Sequence, residues 1–167
     1  MQKAVWRKLI VLVMITSSPS LVAAGDCRAM VRPLLLQKVS GESQLAEARE
    51  VCEVEAALGD ADAEYQLALF ALGLAEWAPA AAIPRIESAA VKGVPEAQYW
   101  LAWQLEAGPL LPNDGVLAKQ WYQRAADAEH RLALQRLADA HANGELGLRK
   151  DAGLAALYRA RAERCAN

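Results

Sequence analysis

The sequence predicts an all-α fold, a short solenoid of stacked antiparallel helix pairs. Three windows of similar sequence place alanine, leucine and alanine at the same offsets. The alanines that begin this pattern are Ala63, Ala97 and Ala133, which are separated by 34 and 36 residues. Glycine and proline interrupt the chain between the helical stretches, and no alternating run of β-branched residues indicates a strand. A helix–loop–helix unit of about 36 residues is therefore predicted to repeat along the chain.

Residues 1–24 are predicted to form a secretory signal peptide. Lys3, Arg7 and Lys8 precede a short apolar run, and small residues end the segment at Ala24. Basic, apolar and small residues in this order are typical of a cleaved export signal. The apolar run is shorter than the roughly 20 residues that span a bilayer, so a retained membrane anchor is the less favoured alternative. We expect a periplasmic or secreted protein with no stable membrane anchor after cleavage.

The chain that remains after cleavage, 25–167, is mildly acidic. Loss of three basic residues leaves 15 lysines and arginines against 20 aspartates and glutamates. Its length is sufficient for one domain with a core of its own. No basic patch or stripe occurs in the sequence, which disfavours a nucleic-acid partner.

The helix pairs follow one another without a separate linker domain. The predicted organisation is an N-terminal helical hairpin at 25–58, then three units within 59–167, at about 61–93, 94–129 and 130–165. Alanine where helices touch allows their axes to approach closely, which is the physical basis of the period. A single unit cannot bury its apolar face, whereas stacked units can.

Loop residues predict where the helices begin and end. Gly108 and Gly144 are expected to end helices in the left-handed conformation that glycine adopts most easily. Asp114 is expected to begin the next helix as its cap. Pro84 falls where the second helix of the 61–93 unit should already be running, and a proline there is expected to kink or delay that helix.

This pattern resembles the Sel1-like repeat, a relative of the tetratricopeptide repeat. The resemblance lies in the segment AQYWLAWQLEAG at 97–108, and in the residues that follow it, Asp114, Ala118, Trp121, Tyr122, Ala125 and Ala126. It extends over about 46–165, and the 94–129 unit matches best. The resemblance implies that the first helix of each pair lines a concave face, and that this face binds another protein.

The three cysteines are Cys27, Cys52 and Cys165. In an exported chain they would meet an oxidising environment, and at most one intramolecular pair can form among three. If 27–38 and 43–58 form an antiparallel hairpin with its turn at Ser40 and Gly41, Cys27 and Cys52 lie at similar heights from that turn. We therefore expect a Cys27–Cys52 disulfide, with pairing of either residue with Cys165 as the alternative.

Helical spacing within the resemblance predicts which side chains face the partner. The candidate partner-binding residues are Asp62, Tyr65 and Leu69 in the first unit, Tyr99, Trp103 and Glu106 in the second, and Gln135 and Asp139 in the third. Trp103 stands where the pattern has a smaller aliphatic residue, so it is predicted to be a binding hot spot. The alternative is that Trp103 covers the core. Trp121 is predicted to pack between units and Trp100 to pack on the N-terminal hairpin.

Residue types that usually take part in catalysis are few in this sequence. The two histidines, His130 and His141, are expected to be solvated or to lie at helix ends. No zinc, phosphate-binding or serine-nucleophile motif occurs in the sequence. Some relatives of the repeat family have been assigned activity on β-lactams, but the SxxK motif is absent from this sequence. We predict no catalytic residue, no metal site and no cofactor, and a chain that is not an enzyme.

The resemblance implies an exported protein-binding scaffold that uses a concave helical surface. For a small periplasmic member, similar proteins act as immunity partners that block a secreted toxic effector such as a lipase. The alternative is an envelope adaptor in assembly or polysaccharide export. A β-lactam hydrolase and a structural module without a ligand are the less favoured interpretations. The partner's identity and the oligomeric state remain open at this stage.

Overall fold

The computed structural model describes residues 26–36 and 41–165, which form eight α-helices. In chain order they are α1 Cys27–Leu36, α2 Glu42–Ala57, α3 Ala61–Ala71, α4 Pro79–Val91, α5 Pro95–Ala107, α6 Gly115–Asp127, α7 Arg131–Asn143 and α8 Ala152–Arg164. The predicted signal peptide, 1–24, and Ser40 at the predicted hairpin turn lie outside the described residues.

The helices form an all-α solenoid of stacked pairs, as predicted from the repeat period. Each helix packs against the next one along the chain, and α1 also packs against α3. We call the first helix of each pair the opening helix (α1, α3, α5, α7) and the second the closing helix. Within the described residues the only β geometry is a single bridge between Leu72 and Trp77. No helix in this part of the chain is long and apolar enough to cross a bilayer.

Buried alanines lie at the contacts between the helices. Those at the predicted repeat positions are at most 1% exposed: Ala63, Ala97, Ala133, Ala68, Ala102, Ala138, Ala90 and Ala126. All of them except Ala138 join larger apolar side chains, including Phe70, Ile86 and Leu137, in three core clusters that follow one another along the stack. Because a methyl group keeps two helices close, the larger side chains fill the spaces on either side of each contact.

The predicted helix ends are confirmed at Asp114, Gly144 and Gly108, but Gly108 does not have the expected left-handed conformation. The carboxylate of Asp114 accepts hydrogen bonds from the amides of Val116 and Leu117 at the start of α6. Gly144 is left-handed, with φ of 77°. Gly108 instead has φ of −78° and ψ of 157°, an extended conformation open to any residue.

Glycine is required at 108 for lack of space rather than for conformation. A Cβ atom at this position would lie 2.0 Å from Oε1 and 2.5 Å from Cα of Gln104. The Gln104 side chain is buried, and its Oε1 accepts a hydrogen bond from the amide of Leu110 at 3.1 Å. The glutamine thereby holds the loop that follows α5, and the sequence pattern gave no sign of this contact.

Pro84 does not delay the closing helix, contrary to expectation. Helix α4 begins at Pro79 and continues through Pro84. Pro79 occupies the first helical position, where a missing amide proton costs nothing. Pro84 then removes one hydrogen bond, to the carbonyl of Ala80, and both residues are exposed, so water can replace that donor.

The disulfide joins Cys27 to Cys52, as predicted from the hairpin. Both cysteines are at most 1% exposed, and their Cα atoms are 4.8 Å apart. Cys165 is free and exposed. The bridge connects the two helices of the first pair and packs within the same core cluster as Val31 and Phe70.

Replacement of Gly108 tests the packing of Gln104. We expect Gly108→Ala to lower the free energy of unfolding by about 2–3 kcal/mol, because overpacking displaces both the side chain and the backbone of Gln104. The measurement is urea denaturation followed by circular dichroism. Gly115→Ala is the matched control: a Cβ there meets nothing within 4 Å, so its unfolding free energy should be unchanged or slightly higher. Equal effects of the two substitutions would contradict this role of Gln104.

Removal of the disulfide tests its contribution to stability. The double variant Cys27→Ala, Cys52→Ala should unfold with about 3 kcal/mol less free energy than the native chain, because the bridge closes a loop with a sequence separation of 25 residues. Cys165→Ala, which removes an exposed thiol, is the control and should have no effect. Non-reduced peptide mass spectrometry should recover Cys27 joined to Cys52; recovery of either cysteine joined to Cys165 would overturn the assignment.

Candidate protein-binding surface

Ion pairs join the opening helices along one side of the stack. Arg28 on α1 reaches Asp62 on α3 at 3.4 Å and also pairs with Glu96 on α5. One guanidinium group therefore contacts the first turns of two further opening helices. We call Arg28, Asp62 and Glu96 the charged row.

A second row of side chains lies two helical turns further along the same helices. Leu35, Leu69 and Trp103 each follow a member of the charged row by seven residues, which is two turns or about 10 Å along the helix. Leu35 is 52% exposed and Trp103 is 44% exposed, while Leu69 is half-buried. We call these three residues the apolar row.

A pocket of about 410 Å³ opens between α1, α3 and α5. Its lining residues are Arg28, Arg32, Leu35, Tyr65, Gln66, Leu69 and Glu96. Parts of both rows thus lie in one concavity. The repeat pattern predicts Asp62, Tyr65 and Leu69 on this side. It does not predict Arg28, Arg32 and Leu35, because α1 lacks the alanine pattern that sets the register of the other helices. The one available signal was the seven-residue spacing between Arg28 and Leu35.

Tyr65 lies beneath the charged row. Burial, together with the negative charges of Glu96 and Asp62, raises the pKa of Tyr65 to about 12. Burial also raises the pKa of Asp62 above its usual value, although the nearby Arg28 opposes this change. The phenol of Tyr65 is therefore neutral across the physiological range and contributes an apolar ring to the pocket.

Tyr99 and Glu106, two other candidate residues, contact the neighbouring unit. The ring of Tyr99 stacks on His130 with centroids 4.8 Å apart. Glu106 accepts hydrogen bonds from the Tyr122 hydroxyl at 2.8 Å and from Arg136, which also pairs with Glu145 at 2.7 Å. Burial disfavours the charge on Glu106, but the hydrogen bonds from Arg136 and Tyr122 lower its pKa below the usual value. These two residues fasten α5 to α6 and α7.

Gln135 and Asp139 lie in a different place from the other candidates. Both line a groove between α7 and α8, together with Arg131 and Arg159. Asp139 pairs with Arg159 at 3.5 Å. The structure therefore brings Tyr65 and Leu69 into one pocket, with Asp62 paired to Arg28 beside it, and puts Trp103 on the adjoining helix. Gln135 and Asp139 belong to a separate polar groove.

The other tryptophans of the described residues are either packed against the core or exposed. Trp121 packs against the two core clusters on either side of it, as predicted, and the Arg124 guanidinium lies 4.5 Å from its ring centroid. Trp100 packs against the cluster of α3 and α4, not on the N-terminal hairpin as expected, because the α3–α4 pair lies between that hairpin and α5. Trp77, in the connection between α3 and α4, is 68% exposed and was not singled out from the sequence.

Trp103 is exposed, unlike the packed rings of Trp100 and Trp121, as expected from its place in the repeat. Trp103 belongs to none of the three core clusters, and 44% of its surface is open to solvent. The alternative, in which Trp103 covers the core, stays a prediction as well, because a ring that lies over a core keeps one face in water. Whether it contacts a partner is untested and remains a prediction.

Comparison with solved structures identifies the repeat. A Sel1 repeat protein from Oxalobacter formigenes superposes with a TM-score of 0.64 at 31% sequence identity, and the alignment covers 70% of this chain and 88% of that protein. The chain belongs to the Sel1-like repeat family. A protective antigen present in uropathogenic Escherichia coli strains, which displays the SLR fold, aligns with 86% of this chain at 25% identity and a TM-score of 0.66. This chain spans about a third of that antigen, since 31% of the antigen is covered.

No protein-family profile and no curated protein matches the sequence. The likeness to solved Sel1-like repeat structures supports a helical scaffold for protein–protein interaction. In such scaffolds, side chains from several helices together form the binding surface.

The two histidines of this Sel1-like repeat chain have structural contacts. His141 is buried and stacks on Tyr158 with centroids 5.6 Å apart. His130 caps α7, with its Nδ1 accepting a hydrogen bond from the amide of Ala133 at 3.3 Å. Within 26–36 and 41–165, no three of the residues that commonly bind metals lie close enough together to hold an ion.

His130 makes stability depend on pH. Its Nδ1 can accept the capping hydrogen bond only when the imidazole is neutral, and burial lowers the pKa of His130 although Glu96 opposes that change. The folded state therefore binds fewer protons than the unfolded state. The contribution of His130 to the free energy of unfolding is complete above the unfolded pKa, about 6.5, and is lost as the pH falls from there toward the lower folded pKa.

The substitution His130→Asn tests this dependence. Asparagine is an effective cap that does not titrate, so the variant should lose less unfolding free energy than the native chain between pH 7 and pH 5. Urea denaturation at several pH values measures both slopes. His141→Asn is a control for the loss of the other histidine. The same pH slope in native and His130→Asn chains would rule out His130 as the source.

Proposed function

We propose that this chain is an exported scaffold that binds another protein through the face of its opening helices. In the specific form that we propose, the chain is an immunity protein that inhibits a secreted toxic effector such as a lipase. The observation that carries the proposal is the apolar row beside the pocket between α1, α3 and α5. Leu35 and Trp103 leave about half of their surfaces in water, although the core of the same chain is closely packed.

Export is supported by the disulfide and by the pattern of 1–24. A buried bridge between Cys27 and Cys52 persists in oxidising compartments and is rare where thiols are kept reduced. We propose a periplasmic location, which agrees with both features. Fractionation of cells that express the full chain tests this, with the mature protein expected to begin near Gly25 and to appear in the periplasmic fraction.

An inhibitory role agrees with the kind of surface that the opening helices present. Trp103 is a large exposed aromatic residue, and such residues supply much of the binding energy at protein interfaces. The mature chain is acidic overall, which suits a partner with a basic surface. A rigid stack can cover a cleft on another protein without contributing any catalytic group.

The first experiment measures the contribution of Trp103. The mature chain is purified with the protein that co-elutes with it, and the affinity is measured by calorimetry. We expect Trp103→Ala to weaken the complex by at least about 2 kcal/mol, or roughly 30-fold, with little change in melting temperature because the ring lies outside the core. Trp77→Ala removes an equally large exposed ring from a loop and should bind normally. Normal binding by Trp103→Ala would remove this residue from the site.

The second experiment separates an immunity protein from an envelope adaptor. A secreted effector encoded beside this chain is expressed in the periplasm of a test strain, with and without this chain. The immunity role requires that the chain restores growth and that Trp103→Ala fails to do so. Loss of envelope assembly or polysaccharide export on deletion of the chain, with no protection against the effector, would favour the adaptor.

A further inference from the structure

We propose that the pocket between α1, α3 and α5 receives an extended segment of the partner protein, one that carries a carboxylate group beside two apolar side chains. This inference rests on the proposed function, because it names the chemistry of the segment that the scaffold binds. It is carried by the charges and apolar side chains that line the pocket.

The arginines of the pocket differ in their partners. Arg28 is held by two carboxylates, those of Asp62 and Glu96. Arg32, one helical turn further along α1, is exposed and makes no ion pair with any residue of 26–36 or 41–165. Among the described residues, the pocket therefore presents one positive charge that has no ion-pair partner, and a carboxylate group complements it.

The apolar side chains lie beside this charge. Leu35 follows Arg32 by three residues on α1, and Leu69 lines the same pocket from α3. Tyr65 adds a partly buried and neutral ring. The apolar row then continues to Trp103 on α5, so the complementary segment carries its carboxylate group near α1 and its apolar side chains toward α3 and α5.

The dimensions favour an extended segment over a helix. An α-helix rises about 1.5 Å per residue, whereas an extended chain rises about 3.3 Å per residue. The apolar row crosses three helices spaced 8–10 Å apart, or roughly 20 Å in all. An extended chain covers this length with about six residues, and alternate side chains point to the same side.

The row ends at α7. The residue that corresponds to Leu35, Leu69 and Trp103 is Asp139, which pairs with Arg159. An apolar side chain would meet a charged groove there. The segment therefore spans α1, α3 and α5 only, which agrees with the estimate of about six residues.

An array of seven-residue peptides tests the proposal. Each peptide contains one aspartate and two leucines at permuted positions among alanines, and each has a counterpart with asparagine in place of aspartate. We expect the mature chain to bind at least one aspartate peptide about fivefold more tightly than its counterpart, which is the size of effect that one exposed ion pair produces. Arg32→Glu should abolish this preference.

Arg149→Glu is the matched control, since Arg149 is exposed, lies between α7 and α8, and makes no ion pair within the described residues. It changes the net charge equally and should retain the preference. Melting curves should show that both variants fold, as both sites are exposed. Leu69→Ala should weaken the aspartate peptides and their counterparts alike, because it removes apolar contact without changing the charge of the pocket.

The outcomes separate this inference from the proposed function. If no peptide prefers aspartate, or if Arg32→Glu keeps the preference, the inference is wrong, while a partner complex sensitive to Trp103→Ala would still support the proposed function. If light scattering shows a dimer that Arg32→Glu dissociates, a second copy of the chain occupies the pocket and the inference is again wrong. If the peptide array shows no preference for aspartate and Trp103→Ala binds the partner normally, both proposals are wrong.

Discussion

Close contact between helices at buried alanines is the constraint on which the rest of the structure depends. A larger residue at Ala97 or Ala102 would separate α5 from its neighbours, because neither site has any exposed surface. The spacing of the opening helices then decides which side chains can meet. The reach of Arg28 across α3 to α5 is possible only while that spacing is kept. The charged row and the apolar row are therefore products of the same small residues that form the core.

The ion pairs between opening helices position side chains more than they stabilise the fold. Arg28 is more than half exposed, and ion pairs at such places contribute about 0–1 kcal/mol. Their effect on side-chain positions is larger, since Arg28 is held by Asp62 and Glu96. Arg32 is left without an ion-pair partner among the described residues. The Glu106–Arg136 pair likewise positions α5 against α7, and the Tyr122 hydroxyl donates a further hydrogen bond to Glu106. The disulfide fixes α1 against α2, so the first helix of the row has a defined place.

The repeat period predicted the helices, the alanine contacts and the Cys27–Cys52 bridge because each depends on local spacing. Other features depend on contacts that spacing does not encode. Gly108 was predicted to end a helix in the left-handed conformation. Glycine is needed there instead because Gln104 leaves no space for a Cβ atom. Pro84 looked like a break, yet the helix loses only one exposed hydrogen bond. The residues that α1 contributes to the pocket were not predicted because α1 has no alanine pattern. Gln135 and Asp139 were predicted to lie with the other candidate residues because the repeat was treated as uniform.

The seven-residue spacing within α1, α3 and α5 has a consequence for how such a surface can evolve. Each helix pair adds one side chain to each row, so a point substitution alters the chemistry at one place and leaves the footprint unchanged. Duplication or deletion of a whole pair would instead lengthen or shorten the footprint by one interhelical step, about 10 Å, and preserve the chemistry elsewhere. Length and specificity can therefore diverge independently among descendants of one ancestral stack.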